Sequence, residues 1–151
     1  MQWIGIRPAR RVAPVSLETV DAITATGLRG DHYNSSGKRQ VTLIQAEHLP
    51  VLSSLVGAPV EPAALRRNVL VGGINLIALR NGRFRIGEAL LEGTGPCEPC
   101  SRMEDVLGPG GYNAMRGHGG ITARVLEGGR IKLGDAVELV SIDMATFPPD
   151  A

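Results

Sequence analysis

Apolar residues in this chain recur mostly at two-residue spacing, in short runs that glycine or proline closes. Trp3-Ile4-Gly5-Ile6 predicts an opening strand. Ser16, followed by Thr19 and Val20, predicts a short helix that ends before Gly27. Gln40 to Gln45 (QVTLIQ) alternates apolar and polar residues, as a half-buried strand does. Leu49, Leu52, Leu55 and Val56 then fall at helical spacing, with Gly57 as a stop. Pro50 is tolerable there only in the first turn.

Asn68 to Val71 predicts another strand, and Leu76 to Ile86 carries Asn81-Gly82 between apolar alternations, a hairpin signal. Ala89 to Thr94 predicts a strand that pairs with a later one. Two short helices are expected over Cys100 to Leu107 and Tyr112 to Arg116. Strand patterns return at Ile121 to Leu126, Ile131 to Leu133 and Val137 to Ile142, separated by the Gly128-Gly129 and Gly134-Asp135 turns. Many short strands at this spacing predict a mainly β fold, a barrel or closed sandwich decorated by a few short helices. At 151 residues the chain is expected to form one domain, 1–151, with 144–151 a loose tail around Pro148-Pro149.

Composition narrows the functional classes. The net charge of +1 and the 3% aromatic content give no basis for nucleic-acid binding. The longest uncharged apolar run, Val51 to Val60, is too short to cross a bilayer, and the N-terminus lacks a secretory apolar stretch. A cytoplasmic location with no membrane partner is therefore expected. The basic residues are two lysines, Lys38 and Lys132, against fourteen arginines. Codon bias in a GC-rich genome explains that excess, and so does a need for flat guanidinium forks that suit phosphate and other planar anions.

The most informative segment is Gly95-Pro96-Cys97-Glu98-Pro99-Cys100-Ser101-Arg102. Pro99 is expected as the first helical residue with Glu98 as cap, and Met103, Val106 and Leu107 as the inward face. That places Cys100 in the first turn, where free N–H groups, the helix dipole and Arg102 favour a thiolate. A structural zinc site wants a second cysteine pair or two well-spaced histidines, and His32, His48 and His118 do not supply that spacing. A thioredoxin-like motif wants a βαβ setting, whereas the pattern here is antiparallel. Two inert cysteines are the bland reading. A single reactive thiolate, as metal ligand or sulfur acceptor, is the preferred one.

Around it, Arg66 and Asn68 would point the same way if they lie on a strand, with Arg67 opposite, so Arg66 and Asn68 could address one ligand. Gly30-Asp31-His32 and Arg39-Gln40 frame a loop in which His32 reads as an ordinary loop histidine. Gly117-His118-Gly119-Gly120, between Arg116 and Arg124, would let backbone approach an anion closely.

Four segments in order resemble the MOSC domain, the C-terminal domain of molybdenum-cofactor sulfurases: GLRGDHYNSSGKRQVTLIQAEHL, LRRNVLVGGINLIAL, FRIGEALLEGTGPCEPCSRM and GGITARVLEGGRIKLGDAVEL. The resemblance runs from about Trp3 to Ile142. It implies a β-barrel-rich fold that binds the molybdopterin form of the molybdenum cofactor or carries activated sulfur for it. It maps the family's cysteine, a molybdenum ligand in cofactor-binding relatives, onto Cys100, and the family's arginine-x-asparagine onto Arg66 and Asn68. Arg102, Arg116, His118 and Arg124 are then expected to help hold the phosphate and pterin. The chain lacks the PLP-dependent desulfurase domain of larger relatives and a suitable Schiff-base lysine, so no PLP is expected on it. It also lacks the extra N-terminal barrel of the amidoxime-reducing enzymes. Three roles stay open: a cofactor-binding or sulfur-carrier protein, a small molybdenum-dependent oxidoreductase acting on N-hydroxylated compounds, and a non-catalytic module delivering cofactor. A cysteine desulfurase or a molybdoenzyme is the partner expected.

Overall fold

A computed structural model describes residues 1–142; the tail expected over 144–151 lies outside them. The strands are β1 (Trp3–Ile6), β2 (Val15–Leu17), β3 (Thr19–Ile23), β4 (Gly27–Leu28), β5 (Val41–Gln45), β6 (Val69–Val71), β7 (Gly82–Ile86), β8 (Ala89–Pro96), β9 (Ile121–Glu127), β10 (Gly129–Lys132) and β11 (Val137–Ile142). Eight form one curled half-barrel sheet in the order β11-β7-β8-β9-β5-β6-β1-β2, and β10-β3-β4 form a second. Only β5 and β6 pair in parallel; the other pairs among the described residues are antiparallel. Register shifts on β8 at Leu90/Leu91 and Gly93/Gly95 bend the sheet where it curls, as bulges do. The fold is mainly β, as the sequence pattern predicts.

The centre of the large sheet is buried on both faces, which corrects the half-buried reading of QVTLIQ. Val41, Leu43, Val69 and Val71 pack into a core with Phe84, Leu91 and Ile121. Ile44 and Leu70 turn to the other face and meet Leu52, Leu65, Met103 and Met115. The second core is roofed by α1 (His48–Val56), α2 (Arg102–Leu107) and α3 (Gly111–Met115). A polar Thr42 fits between these apolar residues because its hydroxyl and backbone N–H both find Asn68. The helix α1 keeps Pro50 in its first turn and stops at Gly57, which adopts φ 75° and donates to Ser53 O.

Three local expectations are overturned. Ser16 to Gly27 is not helical: β2 and β3 occupy it, because Val20 and Ala22 alternate inward and β3 finds a partner in β10. Asn81-Gly82 does not turn a hairpin. Leu76–Leu79 winds into a 3-10 turn that buries both ends, and the hairpin is β7–β8, turning at Gly87 with φ 56°. Finally, α2 begins later than expected. Ser101 is its cap position, so Pro99 and Cys100 precede the helix, and Val106 faces outward.

Candidate functional site

Where the 3-10 turn Pro62–Leu65, the start of α2 and the loops after β1 and β4 converge, a cavity of about 470 Å³ opens. Its wall includes Arg7, Arg10, Arg39, Arg66, Arg67 and Arg102, with His32, Tyr33, Leu65, Met103 and Cys100. Six of the chain's arginines therefore meet one space. Cys100 is exposed and its thiol is free; Cys97 is 2% exposed and also free.

The arginines are held by a buried network. Asp31 accepts from Arg7 Nε and Nη2 at 3.2 and 3.0 Å, and from the Arg7 backbone N–H at 2.7 Å. Its side chain is fully buried, and it accepts further bonds from Asn68 Nδ2 and Tyr33 N–H. Arg7 Nη1 donates to the carbonyl of Arg66 at 3.3 Å, where the chain turns left-handed at φ 56°. Such a φ is unfavourable for a side-chain-bearing residue and persists only when its surroundings hold it. Arg66 itself spends Nη1 on Val12 O at 2.6 Å. Burial lowers its pKa, and the positive charges of Arg102 and Arg7 lower it further. Cations crowded in this way are relieved by an anion.

Arg67 is the deepest member, 3% exposed. Its Nε donates to Gly119 O at 2.9 Å and Nη1 to Leu65 O at 3.0 Å, while the buried Nη2 has no hydrogen-bond partner. Burial pulls the Arg67 pKa down; Cys97 opposes this most strongly, and Cys100 also opposes it. Both thiols thus lie close enough to one guanidinium to feel its charge.

The site residues expected from sequence divide cleanly. Cys100, Arg66 and Arg102 line the cavity. Asn68 does not: it is fully buried, and its amide is consumed by Thr42, Gly5 O and Asp31, so it braces the wall rather than meeting a ligand. Arg116 ends α3 on the exposed surface. Arg124 lies on the outer face of the sheet, bound with Arg83 to Glu92, whose pKa those guanidiniums lower. His118 bonds through Nδ1 to Ala114 O and meets His48 edge-on, ring centroids 5.1 Å apart.

Packing requires two of the glycines around His118, Gly119 and Gly120. A Cβ at Gly119 would strike Cys97 O, and one at Gly120 would strike Leu43 O. Gly120 O accepts from Cys97 N–H at 2.9 Å, so this segment fixes the start of the Cys97–Cys100 loop. Sequence reasoning misses Arg7, Arg10, Arg39, Arg67, Tyr33 and His32 as cavity residues. The arginine excess is the signal for the four arginines, and the loop framed by Gly30-Asp31-His32 and Arg39-Gln40 is the one for His32 and Arg39.

A family model, the MOSC domain, matches residues 29–138. The chain belongs to the MOSC domain family. That family is associated with the molybdenum cofactor. A curated relative, the uncharacterized protein YflK of Bacillus subtilis, is 30% identical over 118 residues, 75% of this chain and 53% of the relative, so the chain spans about half that protein's length. Among solved structures, the YUAD protein of Bacillus subtilis superposes with a TM-score of 0.84 at 21% identity, covering 94% of this chain and 95% of its own. YiiM of Geobacillus stearothermophilus gives 0.73 at 20%, covering 91% and 73%. YiiM of Escherichia coli gives 0.69 at 21%, covering 95% and 71%. At these identities the likeness establishes the shared MOSC-type fold.

Proposed function

We propose that this MOSC domain binds the molybdenum cofactor in the arginine-lined cavity and presents the Cys100 sulfur to it, as a molybdenum ligand or as an acceptor of activated sulfur. The observation that carries the reading is the donor set: six arginines and an exposed thiol on one cavity, with a buried Arg67 Nη2 lacking a partner. Such a set fits a ligand with a phosphate and an electron-rich, planar, oxygen-bearing ring system, since guanidinium forks bind both bidentately. A thiolate is a soft ligand suited to molybdenum and a good sulfur acceptor. The volume lies within the range of small-molecule sites. When bound, the cofactor would supply the redox chemistry; Arg66, Arg102 and Arg39 would hold the anion, and Arg67 the inner end of the ligand. The exposure of Cys100 favours transfer to or from a partner, a cysteine desulfurase or a molybdoenzyme, over a closed oxidoreductase site.

Protein purified without oxygen from a molybdenum-fed host should contain molybdenum and a fluorescent pterin after oxidation. Arg66→Ala should weaken pterin binding by about 1.5–3 kcal/mol, the range for hydrogen bonds to charged groups, with folding nearly intact. Equal binding by the variant and the parent would remove Arg66 from the site. A parent that binds neither pterin nor molybdopterin in direct titration would refute the function.

A further inference from the structure

Cys97 is not among the residues that line the cavity. It is buried, unlike Cys100, yet it stands three residues from it, beside the same guanidinium. Its backbone is pinned by Gly120 O, and Gly119 is packed against its carbonyl. Between the cysteines lie only Glu98 and Pro99, outside any helix or strand, before Cys100 O accepts from Met103 N–H. Two intervening residues allow at most roughly 10 Å between the Cα atoms, and a modest fold of the loop brings this into the range of about 4.4–6.8 Å that a disulfide needs.

We propose that Cys97 is the resolving cysteine of a sulfur-transfer site, releasing the sulfur carried on Cys100 as sulfide. The proposal rests on the sulfur-acceptor form of the function above. A sulfane sulfur accepted from a persulfide donor must gain two electrons before it can leave as sulfide. Cys97 is placed to supply them. Its thiol attacks Cys100 Sγ of the persulfide; the Cys97 Sγ–Cys100 Sγ bond forms and the bond from Cys100 Sγ to the outer sulfur breaks. The outer sulfur leaves with the bonding pair and takes the Cys97 proton, so the Cys97 thiol and the Cys100 persulfide become the disulfide and hydrogen sulfide. The Cys97 sulfur is oxidised to the disulfide level and the outer sulfur is reduced to sulfide. An external dithiol then resets the pair. Burial restricts Cys97 to this intramolecular partner, since a bulky external disulfide or persulfide cannot reach it. The Cys97 carbonyl and Arg67 Nη2 both border Gly119, and that Nη2 lacks an acceptor, so a guanidinium is close at hand as the Cys97 proton leaves.

The test uses the full chain, reduced, freed of small thiols and kept anaerobic. It is loaded with one equivalent of sulfane sulfur from a cysteine desulfurase that already carries its persulfide and has been freed of cysteine. It is then acid-quenched, alkylated and weighed by mass spectrometry while sulfide is assayed. The parent should release about one sulfide per chain and show a Cys97–Cys100 disulfide. Cys97→Ser and Cys97→Ala should accumulate a Cys100 persulfide and release sulfide at least tenfold more slowly without added thiol. Circular dichroism and pterin binding would establish that these variants fold. Sulfide release by both folded variants at the parent's rate would overturn the proposal, as would a stable persulfide in the parent. If the parent accepts no sulfur on Cys100 but binds pterin, the resolving role fails while cofactor binding stands; if it accepts and releases sulfur but binds no pterin, the reverse holds.

Discussion

At the scale of single residues, position relative to solvent separates two cysteines that the sequence places in one motif. Cys100 opens onto the cavity and Cys97 lies beneath it, against the glycine segment. Under reducing conditions, one equivalent of iodoacetamide near neutral pH should modify Cys100, with Cys97 reacting only when the protein is unfolded; peptide mass mapping reads the order. Preferential labelling of Cys97 in folded protein would reverse their roles. The place of Cys100 and Arg66 on the cavity is legible in the sequence, because a paired arginine and a cysteine pair in which each member follows a proline are rare local signals. Sequence misjudges Arg67 and Asn68 because the side-chain parity of a strand is applied where no strand exists. Arg66 is left-handed and β6 starts only at Val69, so Arg67 swings inward and Asn68 is swallowed by Thr42, Gly5 and Asp31. A buried polar amide with every group satisfied is invisible to spacing.

At the scale of elements, short strands bounded by turns are readable because alternation reports one buried face. Alternation fails where both faces are buried, as on β5, and where a neighbouring element decides between helix and strand, as for β3 against β10. The glycine segment before β9 shows what packing adds. Gly117 and Gly120 have φ of 80° and 84°, but only Gly120 has backbone where a Cβ would sit. Both alanine substitutions bear the left-handed penalty of roughly 1–2 kcal/mol. Gly120→Ala should therefore lower Tm clearly more than Gly117→Ala, since it also displaces Leu43 O; equal shifts would show that the contact is soft. The neighbouring histidine pair ties α1 to α3. His48 has its pKa lowered, first by burial and then by the His118 charge, with Glu47 opposing. A lowered histidine pKa means that the unfolded chain binds more protons than the folded one below its ordinary value of 6.5. Stability is then complete above pH 6.5 and falls as pH drops through it. Melting curves from about pH 7.5 to 5.5 should show this loss in the parent and a smaller one in His48→Gln, and parallel losses would exclude His48 as the source.

At the scale of the whole molecule, the half-barrel converges loops from distant parts of the chain on one cavity, and the buried Arg7–Asp31 ion pair braces that convergence. Asp31 ties the loop after β4 to Arg7 after β1 and to Asn68 at the entrance of β6, while Arg7 reaches the carbonyl of Arg66. These contacts span 24 to 59 residues of sequence, which is why no local pattern announces them. The four-segment resemblance foresees the mainly β fold and points to Cys100, Arg66 and Arg102, which share the cavity, but it assigns no role to Arg7 or Asp31. In a buried pair, removing one partner strands the other's charge and costs about 3–5 kcal/mol, whereas replacing both with apolar residues is often near neutral. Asp31→Asn, which leaves the Arg7 cation buried, should thus lower Tm by roughly 10 °C, given about 2–4 °C per kcal/mol at this size. Adding Arg7→Met to Asp31→Asn removes the stranded cation while the amide oxygen at position 31 still accepts the buried backbone N–H of residue 7, so it should recover much of that loss. The double variant should nevertheless bind pterin or phosphate poorly, because Arg7 no longer braces the Arg66 carbonyl or lines the cavity. Recovered stability with weakened binding would show that the pair is retained for the shape and charge of the site. Recovered stability with parental binding would show that Arg66 and Arg67 hold their places without it.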